Sequence, residues 1–202
     1  MKCGSWLNIF VAVAGMVLLT AAVGVAASLT VTVVDGASGA PVDRVVVAVV
    51  SGDSVLATGR TNAQGVWSDT VTGGTARVTA SKRLYASATS APVALNDGAA
   101  QVRLELTKQQ SSDYKRLGRI VGFVRNPQGQ PVGKATLVLV RGAAPVGATQ
   151  PENPTGVYEL EWYPPGTYSV LGTAPGHKTS KYSGRNISAG ESLWLDVTLQ
   201  PK

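Results

Sequence analysis

Four motifs recur in the same order along this chain, each 90 to 93 residues after its first appearance. Asp35-Gly36-Ala37-Ser38-Gly39-Ala40-Pro41-Val42 is matched by Arg125-Asn126-Pro127-Gln128-Gly129-Gln130-Pro131-Val132. Asn62-Ala63-Gln64-Gly65-Val66-Trp67 is matched by Asn153-Pro154-Thr155-Gly156-Val157-Tyr158. Gly74-Thr75-Ala76-Arg77-Val78 precedes Gly166-Thr167-Tyr168-Ser169-Val170, and Val102-Arg103-Leu104-Glu105-Leu106 precedes Leu195-Asp196-Val197-Thr198-Leu199. The offset drifts only slightly, as small loop insertions cause. A collinear set of this kind marks one structural unit written twice. The predicted organisation is a domain over residues 28–107, a linker over 108–117 and a second domain over 118–202. The alternative for 108–117 is a last edge strand or a rigid junction.

Both copies read as all-β. Leu29-Thr30-Val31-Thr32-Val33 alternates with period two, giving one apolar face and one hydroxyl-bearing face. Arg44–Val50 is a nearly continuous valine run, the pattern of a strand covered on both faces. Further short strands follow in each copy, and Gly, Pro, Asn and Asp punctuate the joins with the backbone angles that turns require. Seven short strands per copy predict a β-sandwich or a partly open barrel. In the repeated Gly-x-Pro-Val segment, glycine supplies a positive φ, and proline fixes its own φ and blocks pairing there.

The N-terminus has a different composition. Lys2 is followed by an uncharged apolar run from Trp6 to Val25, and Val25-Ala26-Ala27 ends it with small residues. This is the pattern of a secretory signal peptide over residues 1–27, with cleavage expected after Ala27. The other reading is an uncleaved anchor, since the run is long enough to span a bilayer. The single cysteine, Cys3, leaves with a cleaved signal, so the two domains must hold by apolar burial without disulfides.

Composition limits the chemistry. One cysteine excludes a disulfide scaffold and a zinc–thiolate site. One histidine, His177, excludes any site built on two imidazoles, and it sits in the turn Pro175-Gly176-His177-Lys178. Glu159 and Glu161 lie two apart on one strand and so face the same way. A cation or a sugar is conceivable there; the plainer expectation is a solvated strand face. No metal site and no cofactor are expected. The aromatics concentrate in the second copy, where Trp162 and Tyr163 are adjacent. Neighbours on a strand face opposite sides, so at least one of them should point outward unless the chain bends at Pro164. Lys178, Lys181 and Arg185 give the second copy a weak basic bias. With Trp162 and Tyr163 they form the candidate contact set for a ligand or partner. The bias is too thin for nucleic-acid binding, which needs a denser basic face. Asn186-Ile187-Ser188 is a glycosylation sequon.

One family matches these motifs. Gly118-Arg119-Ile120-Val121-Gly122-Phe123-Val124, Gly129-Gln130-Pro131-Val132, Gly156-Val157-Tyr158, Pro165-Gly166-Thr167-Tyr168 and Ala174-Pro175-Gly176-His177 together resemble the carboxypeptidase regulatory-like domain, a transthyretin-like, prealbumin-like sandwich. The first copy resembles a degenerate version. It keeps Gly39-Ala40-Pro41-Val42 and Gly65-Val66-Trp67 but has Thr72-Gly73-Gly74-Thr75 in place of the Pro-Gly-Thr-Tyr turn. The resemblance implies two tandem seven-stranded Greek-key sandwiches and an accessory, non-catalytic role in exported proteins as a spacer, carbohydrate-binding or protein-contact module. Related hydrolases of purine degradation use several histidines and a C-terminal Tyr-Arg-Gly-Ser. This chain has one histidine, and Tyr182-Ser183-Gly184-Arg185 echoes that tail only loosely and internally.

The expected function is thus that of a non-catalytic, exported structural or interaction protein, periplasmic, surface-bound or extracellular. It would dock to a protein partner or self-assemble through sandwich faces and edge strands, with Leu29–Val33 as the expected edge. The alternative is a carbohydrate-binding accessory module that meets a polysaccharide with the aromatics of the second copy. Membrane contact is expected only if residues 1–27 stay uncleaved.

Overall fold

The computed structural model describes residues 26–96, 98–110, 112–151 and 154–202. The expected signal segment lies outside the described residues up to residue 25. The first half forms β1 (Ala26–Asp35), β2 (Val46–Ser51), β3 (Ser54–Arg60), β4 (Val66–Thr72), β5 (Thr75–Ser81), β6 (Tyr85–Ala86), β7 (Ala88–Thr89), β8 (Val93–Ala94) and β9 (Gly98–Lys108). The second forms β10 (Gly118–Arg125), β11 (Thr136–Arg141), β12 (Ala144–Thr149), β13 (Val157–Tyr163), β14 (Gly166–Thr173), β15 (Ser180–Ile187), β16 (Ser192–Trp194) and β17 (Val197–Thr198). The fold is all-β.

Each half is a sandwich. In the first, the sheet β4-β1-β9-β6 faces the sheet β3-β2-β5-β7, with β8 also paired to β5. In the second, β13-β10-β16, with β17 also on β10, faces β12-β11-β14-β15. Fragments bring both halves to the same plan. The strand expected near Tyr85–Val93 is broken into β6, β7 and β8, and its counterpart in the second half is the single strand β15. The long β9 corresponds to the two pieces β16 and β17. Chain passages from β1 to β2, β3 to β4 and β4 to β5 each cross between sheets, as in a Greek key.

Unusual backbone positions also recur at the motif spacing. Arg44 and Lys134 both take positive φ, 52° and 56°. Leu84 and Gly176 do so at 68° and 73°. Leucine disfavours this region because its Cβ crowds the backbone. The turn geometry is therefore retained in the first sandwich even where the glycine is not. The bridges Val34–Pro41 and Arg125–Pro131 recur likewise at the Gly-x-Pro-Val turns. There the side chain of Asp35 accepts from the N–H groups of Ala37 and Ser38, and that of Asn126 from those of Gln128 and Gln130.

The alternation in β1 sends Ala27, Leu29, Val31 and Val33 into the first core, where they meet Val47 and Val49 of β2, Val78 of β5 and the indole of Trp67. Ile120, Val124, Leu137, Leu139, Tyr158 and Val170 make the equivalent core of the second sandwich.

The structure corrects several details. Leu29–Val33 is not an edge: β1 pairs antiparallel with β4 on one side and parallel with β9 on the other. A cut after Ala27 falls inside β1 and removes a residue that is 1% exposed and aligned with Val71 and Gly98. Residues 108–117 do not form a free linker. Lys108 still belongs to β9, Asp113–Arg116 is a 3-10 helix, and the Tyr114 ring stacks on Trp162 at 4.2 Å between centroids. Gln109 donates its backbone N–H to Leu84 O at 2.9 Å and its side-chain N–H to Trp162 O at 3.3 Å, tying the segment to both sandwiches.

Candidate functional site

The valine run in β2 explains how the sandwiches meet. Val45, Val47 and Val49 enter the first core, so period two sends Val46, Ala48 and Val50 out of the opposite face of the sheet. There they pack on Val138 and Val140 of β11, Ala148 of β12 and Leu171 of β14, all from the second sandwich. The two sandwiches therefore share a third apolar core.

Hydrogen bonds border this seam. Ser81 Oγ accepts the buried N–H of Ala148 at 2.8 Å and lies 2.7 Å from Ser87 Oγ. Ser87 Oγ lies in turn 3.2 Å from the Tyr163 hydroxyl. Thr89 donates to Pro145 O at 2.7 Å, and Arg60 Nε donates to Gln150 Oε1 at 2.9 Å. Lys181 of β15 pairs with Asp53 of the first sandwich at 2.6 Å.

Beside the seam opens a cleft of about 460 Å3. Arg44, Arg60, Lys82 and Arg83 reach it from the first sandwich, and Glu159, Glu161 and Trp162 from the second. A second hollow of about 540 Å3, lined by Arg116, Arg141 and Tyr168, lies where the junction segment approaches the seam. The Glu161 side chain is 11% exposed, with Oε1 3.4 Å from Arg83 Nε and a buried Oε2 that has no hydrogen-bond partner. Burial, then its hydrogen bond with Glu159, push its carboxyl up to about 7, and the pull of Arg83 opposes this. Glu159 lies 3.9 Å from Arg119. Glu161 is therefore not on a solvated strand face, whereas the Glu159 side chain is 40% exposed.

Trp162 and Tyr163 separate at a bulge. Gly118 aligns with Tyr163 and Ile120 with Leu160, so Glu161 and Trp162 together oppose Arg119 alone. Trp162 takes φ 62° there, an unusual conformation for a bulky side chain. The extra residue turns Tyr163 inward, where it is 6% exposed, and burial raises its hydroxyl pKa. Tyr163 thus stands in the second core and at the seam, away from any outer surface. Trp162 is half-buried between the Tyr114 ring and the Arg119 guanidinium, whose carbon is 5.8 Å from the Trp162 ring centroid.

The remaining candidates lie elsewhere. Lys178 is exposed, Lys181 is engaged with Asp53, and Arg185 has a buried Nε without a partner. Lys181 and Arg185 are on β15 and Trp162 is on β13, in the opposite sheet, so the five residues do not form one site. His177 Nδ1 lies 2.9 Å from Pro175 O in its turn. No group of three or more His, Cys, Asp or Glu among the described residues is placed to hold a metal. No helix among them is long and apolar enough to cross a membrane.

The sequence reading passed over Trp194. It is 58% exposed, and its indole stands 5.5 Å from the Phe123 ring. Its signal was present: Leu193 and Leu195 turn toward the core, so the residue between them must face out.

Two β-sandwiches that share an apolar seam define a β-sandwich module protein. Residues 119–200, which make up most of the second sandwich, match the model of the carboxypeptidase regulatory-like domain family. No curated protein sequence matches the chain. Solved structures similar to it include "The Bacillus anthracis TIE protein", at TM-score 0.36 and 16% identity over 87% of this chain and 34% of that one. The streptococcal ancillary pilin is similar at TM-score 0.33 and 14% identity, over 88% of this chain and 62% of that one. GBS52, the minor pilin of Streptococcus agalactiae, is similar at TM-score 0.32 and 10% identity, over 87% of this chain and 96% of that one. The chain spans about a third of the first of these proteins and less than two thirds of the second.

Proposed function

We propose that the chain is two tandem copies of one sandwich, residues 28–107 and 118–202, acting as a stiff, non-catalytic structural and interaction protein exported to the cell envelope or surface. The observation that carries this reading is the shared apolar core of Val46, Ala48, Val50, Val138, Val140 and Leu171. Two domains that bury a common core hold a fixed spacing and orientation, which suits a strut or docking element. Flexibly linked domains would leave those faces polar.

The sheet edges suggest where a partner pairs. Strands β3, β12, β13 and β15 each pair with a register shift, and such bulges twist an edge away from foreign strands. Among the described edge strands longer than three residues, β4 alone pairs without a shift. A partner strand, or a second copy, adds there. The site is tested by placing Asp69→Cys on β4 and oxidising intact cells, since the one native cysteine is Cys3. The expected result is a covalent adduct outside the cytoplasmic membrane, either a dimer or one discrete heteromeric species. Retention of the protein in the cytoplasm, or no adduct, contradicts the reading.

A further inference from the structure

We propose that the hollow of about 540 Å3 beside the junction binds a small hydroxylated phosphomonoester of the glycerol phosphate class. Both sandwiches and the junction converge on it. Lys108 comes from the end of β9, Gln109 and Arg116 from the junction, Arg141 from the end of β11, and Trp162 and Tyr168 from β13 and β14. Its volume falls within the usual range for a small-molecule site.

Charge selects an anion. Among the described residues, Lys108, Arg116 and Arg141 form no ion pair. Two of them rest on rings instead: Lys108 Nζ lies 5.9 Å from the Tyr85 ring centroid, and the Arg141 guanidinium carbon lies 5.6 Å from that of Tyr168. A cation held on a ring keeps its N–H groups for another acceptor. The one carboxylate among the described lining residues, Asp113, already accepts the Gln110 backbone N–H at 3.0 Å. The cleft of about 460 Å3 also gathers cations, but there Lys82 pairs with Asp43 and Arg83 with Glu161. Cations that outnumber the acid and remain unspent favour an oxyanion, and the planar donor fork of arginine suits phosphate oxygens.

A buried acceptor narrows the class. Gln109 donates its side-chain N–H to Trp162 O at 3.3 Å, which leaves Oε1 as the acceptor of that amide. This oxygen is buried and has no hydrogen-bond partner among the described residues. Buried polar atoms are nearly always paired, so Oε1 is set for an incoming donor. A monoprotonated phosphate supplies both the anionic oxygens and a P–OH, and a polyol ester adds hydroxyls. Sulfate supplies the charge and no donor. Leu117, Val146 and the Trp162 ring give the hollow an apolar side against which the carbon chain of an ester can lie.

Calorimetric titration with glycerol 1-phosphate, inorganic phosphate and sulfate at fixed ionic strength tests the site. At about pH 6 a phosphomonoester keeps roughly half of its second proton, so charge alone would favour sulfate. Saturable binding of glycerol 1-phosphate is expected, at least as tight as that of inorganic phosphate. Inorganic phosphate should in turn bind at least ~5-fold more tightly than sulfate, the scale of one hydrogen bond. Arg116 and Arg141 are exposed, so Arg116→Gln and Arg141→Gln should leave the unfolding midpoint of the ligand-free protein in place. Each should weaken glycerol 1-phosphate at least ~10-fold, the scale of a charge-assisted hydrogen bond. Gln109→Met should shrink the advantage of phosphate over sulfate, a ratio that a purely structural role of Gln109 would not move. No saturable binding of glycerol 1-phosphate, a smaller preference over sulfate, a smaller loss in either arginine variant, or an unchanged ratio in Gln109→Met overturns the proposal. The β4 cross-link involves none of these residues, so this site and the docking reading fail separately.

Discussion

Glu161 is a residue whose titration is set by its surroundings. Its carboxyl ordinarily titrates at 4.5 and is held at about 7 in the folded chain by burial, then by its hydrogen bond with Glu159. The folded state therefore keeps a proton that the unfolded state releases. This contribution to stability is complete below pH 4.5 and falls as pH rises to about 7. Thermal unfolding midpoints across that range should decline in the wild type, and Glu161→Gln should flatten the slope. An identical slope in both proteins contradicts the assignment. The carboxylates of Asp35, hydrogen-bonded by Ser38, and Asp43, hydrogen-bonded by Lys82, are held below their usual 3.8 and act in the opposite sense at the acid end. Alternation alone placed Glu159 and Glu161 on one side of their strand, and that was legible. Their enclosure was not, because it comes from Arg83 and its neighbours about 80 residues earlier in the chain. Tyr163 turns inward for a local reason: without the bulge at Trp162 it would share the outward face of Glu161. Nothing in Glu161-Trp162-Tyr163 announces a tryptophan at positive φ.

At the scale of elements, most strands were readable and their interruptions were not. Period two located β1, β4 and β10, and the valine run located β2, because local alternation is imposed by one buried face. The broken strand between Tyr85 and Ala94 follows its partners instead: β6 bonds β9 in one sheet, while β7 and β8 bond β5 in the other. Glycines inside strands mark close packing of aromatics. Gly59 faces the indole of Trp67, and Gly147 of β12 lies directly against the Tyr163 phenol, so an added Cβ at either would collide. Gly147→Ala should destabilise the fold by about 1–3 kcal/mol, the usual range for overpacking, because Tyr163 is fixed by core and seam together. Denaturant unfolding measures this, and a loss below about 0.5 kcal/mol would show that Tyr163 yields easily.

On the whole-molecule scale, the collinear motifs suggested a repeated unit, and the doubly buried valine strand implied a covering layer on its far side. The sequence left the identity of that layer open. It is the matching face of the second sandwich, where Val138 and Val140 repeat the pattern of Val46, Ala48 and Val50. A polar segment such as 108–117 suggests mobility, yet Tyr114 and Gln109 secure it to Trp162. The central claim is therefore one rigid body made of two domains. Residual dipolar couplings measured over both sandwiches in one weakly aligned sample test it most directly. A single alignment tensor fitting residues of both halves, with equal magnitude, is the predicted result. Two tensors of different magnitude or orientation would mean that the halves reorient independently, and the shared core would not exist in solution.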